Sequence, residues 1–140
     1  MRALFVMTTA SLLLLAACGA QAAQPASTTG GQVSVTLTDS GVTLAQTSVN
    51  GGPVTFKVKN AGALLHELVV IKTDVAADKI QPNADEPGKM SEEGTQGESG
   101  DVAVGETKEF TLNLTPGKYV LMCNEVGHYM MGMHIPFVVR

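Results

Sequence analysis

This chain is short of histidine and cysteine, with three of the first and two of the second among 140 residues. So few imidazoles exclude any protein that needs several histidine-rich metal centres. Basic residues are scarce as well: nine Lys and Arg stand against 13 Asp and Glu, for a formal net charge of −4. A surface of that sign repels phosphates, so no nucleic-acid partner is expected. No internal repeat is visible, and no apolar run reaches the roughly 20 residues that a membrane span needs. The length accommodates one domain and a targeting segment.

The targeting segment is the first 18 residues. Arg2 is followed by an apolar core through Leu15 and by small residues before Cys18, the pattern of an export signal. Leu15-Ala16-Ala17-Cys18 resembles a bacterial lipobox, in which the cysteine is lipidated and the signal is cleaved before it. The alternative is an ordinary signal-peptidase cut near Ala22 or Ala23, which removes Cys18. Residues 1–18 are therefore read as a signal peptide and 19–32 as a flexible linker, because GAQAAQPASTTGGQ is small, polar and rich in breakers. Such a tether reaches about 20 Å. Loss of Arg2 leaves 8 basic against 13 acidic residues, a net charge of −5. The expectation is an exported monomer on the periplasmic or cell-surface side of a bacterial membrane, anchored by lipid at Cys18.

Residues 33–140 carry the period of two that marks half-buried strands. Val33, Val35 and Leu37 alternate with polar residues, as do Val54, Phe56 and Val58, and later Phe110, Leu112 and Leu114. Between them, residues 42–49 begin to alternate and then lose the pattern, which predicts an irregular edge strand. Asp39-Ser40-Gly41, Asn50-Gly51-Gly52 and Pro116-Gly117 are turn signals. Residues 64–71 are almost continuously apolar around His66 and predict a central strand buried on both faces. Tyr119, Leu121 and Cys123 fall on one face of the next strand, with Met122 on the other, and residues 135–139 close the chain as a last strand. The reading is an all-β fold, an antiparallel β-sandwich of about seven to eight strands.

The stretch 73–101 differs in kind, with eight acidic residues against Lys79 and Lys89 and many Pro and Gly breakers. It reads as a long solvated loop, with an acidic docking patch for a basic partner as the alternative. Residues 74–80 could add a turn or two of helix capped by Asp74.

Chemistry concentrates in CNEVGHYMMGM, residues 123–133, where Cys123, His128 and Met133 stand at C-x4-H-x4-M. Either signal cut leaves Cys123 as the domain's only thiol, unpaired in an oxidising compartment. A thiolate, an imidazole and a thioether suit copper, and a second imidazole would complete the set of a Cys, two His and a weak axial Met. His134 directly follows Met133, so in extended chain the two side chains point to opposite faces. His66 is the better second imidazole. Met131 is the fallback for Met133, and the neighbouring methionines could equally be gap fillers.

These residues resemble the cupredoxin family of blue copper proteins, which includes plastocyanin, azurin and auracyanin. The run TPGKYVLMCNEVGHYMMGMHIPFVV carries most of the resemblance, and NAGALLHELVVI the rest. The loop is longer than plastocyanin's between Cys and His and longer than azurin's between His and Met, and is more similar to auracyanin-like and sulfocyanin-like loops. Glu67 stands where many members have Asn. The resemblance implies a Greek-key topology, one type 1 copper ion held by His66, Cys123, His128 and Met133, and single-electron exchange with a redox protein such as a cytochrome or another copper protein. A copper-tolerance or copper-transfer protein would use the same ligands. An enzyme built on a Cys123–His128 nucleophile is disfavoured, since no group is evident to orient His128 and Met133 would have no role.

Overall fold

The computed structural model describes residues 30–140. The expected signal peptide, Cys18 and the linker up to residue 29 lie outside the described residues. The first strand begins two residues earlier than expected, so Gly31 and Gln32 pair with a neighbouring strand instead of belonging to the linker.

Among the described residues, nine strands form two facing sheets: β1 (Gly31–Thr38), β2 (Gly41–Leu44), β3 (Ser48–Val49), β4 (Gly52–Asn60), β5 (Val69–Lys72), β6 (Thr95–Glu98), β7 (Thr107–Leu114), β8 (Gly117–Met122) and β9 (His134–Val139). Their orders are β2-β1-β4-β7 and β3-β9-β8-β5-β6. The sandwich is as the alternation predicts, but the sheets are mixed and not purely antiparallel. β1 runs parallel to β4, and β3 parallel to β9. The cause lies in residues 42–49: β2 pairs with β1, and after a break β3 joins the opposite sheet. What reads as one irregular edge strand is a change of sheet.

The alternating residues meet between the sheets. Val33, Val35 and Leu37 of β1 and Val54, Phe56 and Val58 of β4 are essentially inaccessible to solvent. Phe56 stacks on Phe110 at 5.3 Å between ring centroids and meets Phe137 of the other sheet edge-on at 5.9 Å. Burying such a ring contributes about 1.5–3 kcal/mol. Tyr119, Leu121 and Cys123 join this inner cluster, whereas Val120 and Met122 on the opposite face of the same strand belong to a second one.

That second cluster corrects the reading of 73–101 as a solvated loop. Ile80 and Met90 pack against Val69, Ile71, Val120, Met122 and Tyr129 on the outer face of the second sheet. Its last part, β6, pairs with β5. The expected helix over 74–80 is absent: the Thr73 hydroxyl accepts the Val75 N–H, and the chain turns again where the Lys79 N–H reaches the Ala76 carbonyl. A side chain that binds nearby backbone in this way competes with the helical ladder.

The predicted central strand over 64–71 is shorter than expected, since only Val69–Lys72 is strand and Leu64 and Leu65 are exposed. Polar side chains divert the backbone. Asn60 is fully buried and donates to the carbonyls of Leu64 and Val102, while Asp39 accepts the N–H groups of Ala63 and Leu64. His66 and Val102 form only an isolated bridge, and Val104 faces solvent.

Candidate metal centre

Three elements deliver the donor atoms. β8 ends one residue before Cys123, whose thiol continues the buried row of Tyr119 and Leu121. The chain then turns, and His128 enters a single 3-10 turn, Tyr129–Met131. Gly132 ends that turn at a φ of 95°, a left-handed conformation that favours glycine. The loop closes on itself where the Cys123 N–H donates to the Met133 carbonyl at 3.0 Å. His66 arrives from the other side, held by its bridge to Val102.

The result is a convergence of three side chains. Cys123 Sγ lies 3.5 Å from His128 Nδ1 and 3.8 Å from His66 Nδ1, and the two Nδ1 atoms are 3.1 Å apart. One ion bound at about 2.0–2.3 Å from nitrogen and sulfur ligands requires spacings of this order. His66 and Cys123 have no exposed surface, and His128 keeps only 8%. Burial pushes the Cys123 thiol up to about 11, opposed by the N–H groups of Glu67 and Glu125. Burial, and then the neighbouring His66, hold His128 below the usual imidazole range. Two imidazole Nδ1 atoms and one thiol sulfur facing a common point fit a cation that would displace the thiol proton and take a lone pair from each.

Sequence reasoning missed Asp39, which it assigned only to a turn. Its Oδ1 lies 3.0 Å from His66 Nε2. The N–H of Ala63, followed by that of Leu64 and by His66 itself, keeps the Asp39 carboxyl below the usual carboxylate range. An ionised Asp39 can only accept, so Nε2 carries the proton and the Nδ1 lone pair faces the other donors. A carboxylate behind a ligating imidazole fixes the ring and raises its basicity. Space here is tight: a side chain at Gly62 would collide with both Asp39 Oδ1 and His66 Nε2. Nothing in the order of residues signals that a turn 27 positions upstream supports His66.

The methionines separate by burial. Met133 is fully buried in the inner cluster, while Met130 and Met131 are exposed. His134 is set apart from the donors and lies against the Tyr129 ring, 4.5 Å between centroids. Glu67 donates its N–H to Cys123 Sγ at 3.5 Å, so its backbone supports the sulfur. Its own carboxyl is pushed up to about 7 by burial and then by Glu98, Glu125 and Glu92.

No protein-family model and no curated protein sequence matches this chain. Solved structures do. Reduced auracyanin from Roseiflexus castenholzii is 21% identical, with a TM-score of 0.57 over 80% of this chain and 97% of its own. Auracyanin A from Chloroflexus aurantiacus, described as a "blue" copper protein, is 23% identical, with a TM-score of 0.54 over 79% and 100%. Rusticyanin from Thiobacillus ferrooxidans is 15% identical, with a TM-score of 0.63 over 80% and 78%. The chain has the cupredoxin fold, and its buried His66, Cys123 and His128 form a cluster able to hold a metal ion.

Proposed function

We propose that this domain is a blue copper electron carrier, with His66, Cys123 and His128 as the strong ligands of one copper ion and Met133 as the weak axial one. The convergence of two Nδ1 atoms and one thiol sulfur in a buried site carries the reading. A bound copper ion would supply a one-electron couple, for which a set of thiolate, imidazoles and thioether serves both oxidation states. The chain's own contribution is to hold the donors close together, to exclude water from His66 and Cys123, and to orient His66 through Asp39. Among the three strong donors only His128 keeps any exposed surface, so a partner's redox centre approaches there. That partner is a redox protein such as a cytochrome or another copper protein.

Export and a lipid tether at Cys18 complete the proposal, placing the carrier on the outer side of a membrane. No helix among the described residues is long and apolar enough to cross one. A Cys18→Ala protein should leave the membrane fraction, and retention at the native level would refute the anchor. The exposed Met130 and Met131 within the ligand loop favour a second reading, transfer of Cu(I) to another protein. Mixing reduced, copper-loaded protein with an oxidised redox partner, and separately with an apo Cu(I) acceptor, separates the two. Fast electron exchange with retained copper is expected. Rapid metal loss with sluggish electron exchange would establish the carrier of copper instead.

A further inference from the structure

We propose that the acidic segment is a strap that positions the ligand loop through Asn124 and Tyr129, each of which stands directly after a ligand. The inference rests on the copper reading of the site. Asn124 follows Cys123 and is 1% exposed. Its Oδ1 accepts the Met90 N–H at 2.7 Å, and its Nδ2 donates to the Met90 carbonyl at 3.1 Å and to Glu92 Oε1 at 2.7 Å. Tyr129 follows His128. Its phenol accepts the Ile80 N–H at 3.0 Å and donates to the Ala77 carbonyl at 2.6 Å. Between these two points the Gly127 N–H donates to the Gly88 carbonyl at 2.8 Å.

The loop that carries Cys123 and His128 is thus latched to one segment at three places. The strap itself is seated, because Ile80 and Met90 lie in the outer cluster with Val120 and Met122. These two residues belong to β8, whose inner-facing row Cys123 continues just past the strand's end. Hydrogen bonds made against such a dry surface resist opening, since a buried polar group that loses its partner has no water to replace it. Asn124 and Tyr129 are positioning residues that act through the backbone of the ligand each one follows. They keep Cys123 and His128 in place before an ion arrives and limit how far the site moves when the charge of the ion changes.

Tyr129→Phe removes only the phenol oxygen and keeps the ring, and Asn124→Ala removes the second latch. Amide hydrogen exchange on the metal-free proteins reads the loop without copper. The two hydrogen bonds lost in Tyr129→Phe should speed exchange in residues 124–133 roughly 30-fold, and the three lost in Asn124→Ala should speed it more, with β1 and β4 unchanged. In the copper-loaded proteins, release of the ion to a chelator should accelerate by a similar factor, and the intensity ratio of the charge-transfer bands should shift. Unchanged loop exchange in Tyr129→Phe would overturn the strap, as would acceleration spread evenly over β1 and β4. Faster loop exchange with unaltered copper release and band ratio would also overturn it, because the strap would then position nothing. If wild-type protein takes up no copper, the functional reading fails while the exchange comparison still decides whether the loop is strapped.

Discussion

The two hydrophobic clusters of this domain are built differently. The inner one joins two sheets through strands that alternate, so that β1, β4 and β7 each send apolar residues to one side. The outer one joins a sheet to a segment without regular structure, and only a few side chains, chiefly Ile80 and Met90, cover it. The ligand loop straddles both: Cys123 and Met133 belong to the inner cluster and Tyr129 to the outer. With the proposed strap, the stability of the domain and the rigidity of the site have separate sources. One resides in the sandwich, the other in its cover.

The largest effect should come from breaking the inner cluster. Phe56→Ala is expected to lower unfolding free energy by about 3–5 kcal/mol, because the ring is fully buried and bridges Phe110 and Phe137. Denaturant titration of the metal-free protein would measure it. Met90→Ala in the outer cluster should cost about 2 kcal/mol by the same assay, since the cover can collapse more readily than the sandwich. It should also hasten copper release from molecules that remain folded, which Phe56→Ala should not do. Equal effects of the two variants on copper release would erase the distinction.

Two smaller perturbations sharpen the contrast at the site itself. Asp39→Asn leaves both clusters intact and removes the carboxylate behind His66, so copper affinity should fall about 10- to 100-fold in a competition titration. Less electron donation from the imidazole also favours Cu(I), so the reduction potential should rise. Met133→Gln should retain the ion and lower the potential measured by voltammetry, whereas the exposed Met131→Gln should leave it unchanged. The reverse pattern would move the axial role to Met131.

The inner cluster was legible in the sequence because a period of two survives wherever one face meets the core and the other meets water. The face shared by Tyr119, Leu121 and Cys123 and the donor set His66, Cys123 and His128 followed from that period and from the scarcity of ligands. The outer cluster was harder to see. Val120 and Met122 are apolar on the second face of β8, which signals a cover, but the segment that supplies it looks acidic and broken because only Ile80 and Met90 need be apolar. Asp39 left no trace at all. Its role depends on a turn from one side of the sandwich meeting a loop from the other, a juxtaposition that topology creates and local pattern does not encode. The change of sheet between β2 and β3 was hidden similarly, since a strand that switches partners and one that is merely irregular lose alternation in the same way.

The proposed function requires copper held by Cys123. Cu(II) added to metal-free protein should produce an intense visible charge-transfer band and the narrow hyperfine splitting of a thiolate-bound site in electron paramagnetic resonance, and both should be missing in Cys123→Ser. A band of equal intensity in Cys123→Ser, or none in the wild-type protein, would contradict it.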